Sequence, residues 1–147
     1  MTAQARLSSA LHRIEVHAGP LRDEPDFIWH VTAGEGSDDS ISLWGYIKTT
    51  SFVGFGQAQV VTVTRDWAWS VASKNRKTRE EFELWVQMYA SEVMYDTARR
   101  ALQSQAALMD FAFEIGAEAP DAQVEFLKPN PLKARTQKTI SPKAQSK

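Results

Sequence analysis

The chain has 147 residues, the length of one modest domain, and the composition of a globular protein. Hydrophobic residues make up 43% and charged residues 24%, so we expect a core that buries about 68–70% of the unfolded surface. The absence of cysteine excludes disulfides, thiolate metal sites and cysteine nucleophiles. No apolar run approaches the roughly 20 residues of a membrane span, and the first residues lack the apolar stretch of a signal peptide. These features predict a soluble cytoplasmic protein with no membrane insertion.

The net charge of −1 conceals an uneven distribution. Residues 128–147 contain six Lys or Arg and no acid, whereas the preceding residues hold all 18 acids and only 11 bases, a net charge of −7. This acidic body argues against nucleic acid as a partner, because phosphate binding needs a positive surface. The basic segment has three prolines and few apolar residues. We therefore expect one domain over residues 1–127 and a disordered basic tail over residues 128–147.

The first half of the chain alternates apolar and polar residues as β-strands do. Four strands are predicted, over residues 10–17, 27–31, 41–52 and 57–71. In the third, one set of alternate residues is aliphatic and the other includes Trp44 and Tyr46, so both faces of this strand should be covered. Taken in chain order, the four strands predict an antiparallel meander.

The second half predicts one long helix. Thr78 and Glu81 have the spacing of a capping box, and no proline or glycine intervenes between them and about Met109. Such a helix would be about 45–48 Å long, whereas a chain of this length has a radius of gyration of about 15 Å. The helix should therefore overhang or kink, and an overhanging amphipathic helix favours an oligomer. Val124 and Phe126 are the last apolar anchors before the tail.

Few residues have the spacing of a catalytic or metal site. His12 and His17 are five residues apart on a predicted strand, so they should point to opposite faces and cannot share one ion. Residues 54–56 (GFG) begin like a dinucleotide fingerprint, but Gln59 stands at the third glycine position and the motif joins two strands. No serine lies in a nucleophile elbow. The chain is therefore predicted not to be an enzyme and to need no metal or cofactor.

Aromatic residues make up 10% of the chain. They predict either a filled core or an aromatic groove for apolar polypeptide segments, because large rigid rings offer much contact area at little entropic cost. Composition leaves both interpretations open.

Over about residues 7–127, the order of elements and four local strings resemble the bacterial export chaperone SecB and its relatives. Residues 89–100 (YASEVMYDTARR) are similar to the family pattern Tyr-x-x-x-Ile-Leu-Phe-Pro-Tyr-Ala-Arg-Glu. Residues 119–126 (APDAQVEF) are similar to its Pro-x-Val-Asn-Phe segment, which runs along the groove. Residues 13–14 correspond to its first strand, and residues 66–71 to the end of its fourth. The resemblance implies a four-stranded antiparallel sheet with a long helix, a homotetramer, and nucleotide-free binding of unfolded proteins.

Three positions depart from the family pattern. Asp96 replaces the family's proline in the helix. Thr62 and Arg22 stand at or near positions where the exporters carry acidic residues for contact with the SecA motor. The loss of these acids argues against coupling to SecA in protein transport. It favours relatives that accompany toxin–antitoxin systems or are carried by phages.

The chain is therefore predicted to be an α+β, SecB-like, ATP-independent holdase chaperone that binds unfolded polypeptide clients as a dimer or tetramer. The alternative is a structural or assembly protein, such as a viral one, that uses the same aromatic faces as permanent subunit interfaces. The predicted client-binding residues are Leu21, Phe27, Trp29, Trp44, Tyr46, Val124 and Phe126.

Overall fold

The structure, a computed structural model, describes residues 9–19 and 26–127. Its strands are β1 (Ala10–Ala18), β2 (Asp26–Glu35), β3 (Ile41–Thr50), β4 (Gly54–Thr64) and β5 (Val124–Phe126). Its helices are α1 (Trp69–Ala72), α2 (Arg76–Trp85) and α3 (Ser91–Leu108), and a π-helical segment, Val86–Ala90, joins the last two. The predicted contact residue Leu21 and the predicted tail over residues 128–147 lie outside the described residues.

The strands form one mixed sheet in the order β1-β4-β3-β2-β5. The first four are antiparallel to their neighbours, and β5 pairs in parallel with β2. The fold is therefore α+β as predicted, but the sheet differs from a four-stranded meander, because β1 lies beside β4 and a fifth strand is present. Pairing with β4 sets Ile14 opposite Ala58 and Val16 opposite Gly56, where both apolar side chains pack against the core.

The sheet has two unlike faces. The covered face packs against the helices, and its β3 residues Ile41, Leu43 and Ile47 are fully buried. The open face carries the alternate residues, including Trp44 and Tyr46, which are partly exposed. Alternation in the third strand predicts these two faces, but the prediction that both are covered was wrong, because the face of Trp44 and Tyr46 is partly exposed.

The fourth strand ends at Thr64, seven residues before its predicted end at residue 71. The Thr64 hydroxyl accepts a hydrogen bond from the Asp66 backbone N–H at 3.1 Å and so favours a bend. The short helix α1 follows, and its Ser70 donates both its N–H and its hydroxyl to the Asp39 carboxylate, at 2.9 and 2.6 Å. Asp39 thereby ties the turn between β2 and β3 to the chain that leaves β4.

The first long helix begins earlier than predicted. Asn75 is its N-cap, and the Asn75 side chain accepts a hydrogen bond from the Thr78 N–H at 3.0 Å. The Thr78 hydroxyl in turn accepts from the Asn75 N–H at 3.1 Å. Thr78 is therefore the third helical residue of a capping box and not its N-cap, in agreement with the stronger preference of asparagine for that position.

The predicted long helix is interrupted by the π-helical segment. Fully buried residues recur every four positions along all three helical stretches, a spacing wider than the 3.6 residues of an α-helical turn. The wider turn of the π-helical segment helps to keep these residues on one side, facing the sheet. They are Phe82, Val86, Ala90, Met94, Ala98, Leu102 and Ala106.

The chain reverses direction directly after α3. Asp110 has a φ of 63°, in the left-handed region that glycine usually occupies after a helix. The N–H groups of Asp110 and Phe111 donate to the carbonyls of Ala107 and Ala106, both at 3.1 Å, which is the bonding pattern of a Schellman motif. Residues 110–127, which we call the return segment, then run back along the helix to β5.

Candidate polypeptide-binding site

A groove of about 550 Å³ lies beside the first residues of β2 and the turn between β3 and β4. Its three large apolar lining residues are exposed: Phe27 by 38%, Phe52 by 70% and Val53 by 47%. Clustered apolar side chains at a surface mark interaction sites for other molecules. The remaining lining residues are Asp26, Thr49, Thr50, Ser51, Ala112 and Glu114.

The turn itself exposes Phe52 and Val53. Ser51 closes it, because its N–H donates to the Gly54 carbonyl at 2.9 Å and its hydroxyl accepts from the Gly54 N–H at 3.2 Å. The two central residues of such a tight turn project away from the strands it joins. The predicted third strand ended at Phe52, and Val53 was not a predicted site residue. The sequence feature that could have indicated this exposed turn is the apolar pair between Ser51 and Gly54.

Side chains of α3 hold the first half of the return segment by its backbone. The Gln103 amide donates to the Phe113 carbonyl at 2.6 Å and accepts from the Phe113 N–H at 3.0 Å. The Tyr95 hydroxyl donates to the Gly116 carbonyl at 2.6 Å. Burial raises the pKa of Tyr95, so its hydroxyl keeps the proton that this hydrogen bond needs.

Two carboxylates hold the second half in the same way. Glu92 accepts a hydrogen bond from the Ala119 N–H at 3.0 Å, and Glu83 accepts one from the Val124 N–H at 2.7 Å. Within residues 111–123, all of which the structure describes, no residue belongs to a helix or strand. For Phe113, Gly116 and Ala119, the helical side chains therefore take the place of a paired strand.

The glycines of the GFG motif receive the aromatic rings of the return segment. A Cβ atom on Gly54 would lie 2.7 Å from Cζ of Phe111, and one on Gly56 would lie 2.7 Å from Cζ of Phe113. The two rings meet edge to face, with centroids 5.0 Å apart. Because both glycines are on the covered face, the motif forms two slots for rings and not a phosphate loop.

The predicted client-binding residues do not converge on one site. Trp29 and Val124 lie in the core, each 8% exposed, and the Trp29 indole N–H donates to the Ser91 hydroxyl at 3.3 Å. Trp44 and Tyr46 are on the open face. Of the six that the structure describes, Phe27 alone lines the groove.

Phe126 belongs to a separate cleft of about 450 Å³ between α2 and β5. Its ring lies 5.8 Å from those of Trp69 and Phe82, and the Arg79 guanidinium lies 5.6 Å from its centroid. Charged side chains of α2 line most of this cleft, namely Arg76, Arg79, Glu80 and Glu83. Phe126 thus anchors β5 beneath α2.

On the open face, each histidine lies beside an aromatic ring. The ring pairs are His12 with Trp44 at 5.0 Å, His17 with Phe55 at 6.0 Å, and His30 with Tyr46 at 5.2 Å between centroids. The prediction that His12 and His17 point to opposite faces was wrong, because the pairing register shifts between Leu11 and Arg13 and turns His12 to the open face. The two histidines contact different rings. Within the described ranges, no three His, Asp or Glu side chains are grouped as metal ligands would be.

Polar contacts engage Tyr46 on the same face. Its hydroxyl donates to the Gln57 side chain at 2.6 Å, and the Gln57 amide donates to Glu15 at 2.6 Å. Hydrogen bonds from His17 and Gln57 hold the pKa of Glu15 below its ordinary value, whereas burial raises the pKa of Tyr46. This chain of hydrogen bonds makes the surface around Tyr46 more polar than that of the groove.

The chain has no significant match to a family model, a curated protein or a solved structure. Among the helices of the described residues, none combines the length and the apolar character needed to cross a membrane.

Proposed function

We propose that the protein is an ATP-independent holdase of the SecB type, which binds unfolded polypeptide segments. The observation that carries this proposal is the groove with the exposed side chains of Phe27, Phe52 and Val53. Apolar segments of a non-native chain would bury these side chains and their own apolar surface together, at about 25 cal/mol per Å². Such binding needs no cofactor or nucleotide.

The groove also supplies polar groups for the backbone of a client. Asp26 and Glu114 line it together with the hydroxyl residues Thr49, Thr50 and Ser51. Mixed apolar and polar linings suit extended chains, since every residue of such a chain has an N–H and a carbonyl that need partners. In this proposal Phe27, Phe52 and Val53 are the principal contacts.

The proposal includes assembly into a dimer or tetramer in the cytoplasm. β1 is an edge strand of the sheet, and edge strands offer unpaired backbone groups to another chain. The open face adds Trp44, Phe55 and Val61, which are partly exposed. Two copies that buried these surfaces would form an interface of the apolar, obligate kind, above about 2,000 Å².

The test is suppression of aggregation of a chemically unfolded, unrelated protein in the absence of ATP. We expect the wild type to suppress aggregation, and the pair Phe52→Ser and Val53→Ser to weaken suppression at least about fivefold, because most of the exposed apolar area of the groove is removed. The matched control is Leu84→Ser with Met88→Ser, two exposed apolar residues of the helix outside the groove. Equal losses from the two pairs would contradict a specific site.

The second candidate, an assembly protein, is favoured by the aromatic open face. It predicts no suppression by the wild type, and dissociation to 16.5 kDa by light scattering when Trp44 is changed to serine. A wild type that suppresses aggregation, with an oligomer that survives the groove substitutions, supports the holdase.

A further inference from the structure

The return segment is bound to the rest of the molecule in the way that an extended client would be. We infer that it occupies, in cis, a channel that client segments enter by displacing it. This inference rests on the proposed holdase function and adds to it the mode of binding and its regulation. Three observations carry it: the hydrogen bonds to the segment, the slots for its rings, and its position in the wall of the groove.

The hydrogen bonds that hold the return segment are made to its backbone and not to its side chains. Gln103, Tyr95, Glu92 and Glu83 make five hydrogen bonds with the main chain of the return segment. Since every polypeptide offers the same N–H and carbonyl groups, these four side chains would accept another extended segment equally well. A site of this kind is tolerant of sequence, as a holdase requires.

The slots for the two rings determine which sequence pattern is preferred in a client segment. Phe111 and Phe113 are two residues apart, so in an extended chain their rings point to the same side and enter the slots over Gly54 and Gly56. Glu114 and Ala112, the alternate residues, point into the groove instead. The favoured client therefore has aromatic residues at positions i and i+2 of an extended stretch.

A client enters the groove first, and the return segment forms one wall of that groove. Ala112 and Glu114 line the same groove as Phe27. Gly116, Glu118 and Asp121 of the segment are exposed, whereas Phe113, Ala122 and Val124 are buried and are the side chains that a client must displace. A client in the groove therefore touches the segment that it must replace, and exchange can proceed residue by residue along the channel.

The probe is a fluorescently labelled peptide that copies residues 109–118 (MDFAFEIGAE), titrated into the full-length protein. Its control has serine in place of both phenylalanines. We expect the first peptide to bind and the control to bind at least about tenfold more weakly. The substitution Phe111→Ser in the protein weakens its own return segment and leaves the channel intact, so the probe should bind about tenfold more tightly to this variant. Leu84→Ser should leave the affinity unchanged.

Hydrogen exchange of the wild type gives a second measurement that needs no variant. The amide of Phe113 should lose protection when the probe binds, because its acceptor, the Gln103 side chain, passes to the peptide. Unaltered protection of this amide in the peptide complex, or equal or weaker probe affinity in folded Phe111→Ser, overturns the inference. If the probe behaves as expected but the wild type suppresses no aggregation, the inferred channel is supported and the proposed holdase function is contradicted.

Discussion

The slot over Gly56 allows a direct test of how the return segment docks. In the variant Gly56→Ala, the added Cβ would lie 2.7 Å from Cζ of Phe113 and 3.0 Å from Cδ2 of Leu102, whereas carbon atoms in contact are about 3.5–4.0 Å apart. Phe113 is 3% exposed and Leu102 is fully buried, so neither can move aside freely. Overpacking of this kind costs about 1–3 kcal/mol, and the midpoint of thermal unfolding should fall by about 3–12 °C.

A double-mutant cycle in urea at fixed protein concentration isolates the contact. In a Phe113→Leu background the ring is gone, so Gly56→Ala should cost less than about 0.5 kcal/mol, with a coupling free energy of about 0.5–3 kcal/mol. The control is Gly116→Ala, because nothing lies within 4 Å of a Cβ at that position. Its stability should be unchanged or raised by up to about 1 kcal/mol. Additive costs for Gly56→Ala and Phe113→Leu would refute the docking of Phe113 into this slot.

Two further substitutions test the core and the helix. Trp29→Ala should lower the free energy of unfolding by about 3–5 kcal/mol, because Trp29 is a buried ring; a loss below about 1 kcal/mol would contradict its place in the core. Asp96 has a pKa below its ordinary value, since hydrogen bonds from Arg99 and Arg100 outweigh the upward effect of partial burial. A carboxyl group with a lowered pKa stabilises the fold above its unfolded pKa of about 3.9, and this contribution is lost as the pH falls through the folded value. Wild type should therefore have a higher melting temperature than Asp96→Asn at pH 6, and the difference should close as the pH falls below the unfolded pKa of about 3.9; a constant difference would refute this account.

Local pattern predicted much of the architecture, because alternation and helical spacing depend on neighbours in the chain. The strand over residues 41–50 and its two faces follow from period-2 alternation, and the helix follows from a long run without proline or glycine. The predicted start of that helix was wrong by a few residues, since Asn75 and Thr78 both satisfy capping chemistry and the structure places Asn75 at the N-cap. The resemblance to SecB stays a prediction.

The candidate site was predicted less well. An aromatic residue is apolar wherever it lies, so its type does not distinguish the core position of Trp29 from the groove position of Phe27. Phe52 was predicted to end the third strand. In the structure it lies in a turn that hydrogen bonds between Ser51 and Gly54 close. Periodicity in the sequence carries no mark of those bonds.

The sequence by itself determined the α+β class, the apolar face of the third strand and the presence of a long helix, because each rests on contacts between near neighbours. Only the tertiary structure decided that β1 pairs with β4, that β5 joins β2, and that the GFG motif receives two rings. Those rings belong to Phe111 and Phe113, more than fifty residues further along the chain. A contact between segments so far apart forms only when the helix and its Asp110 turn bring the chain back, and no local pattern records that return.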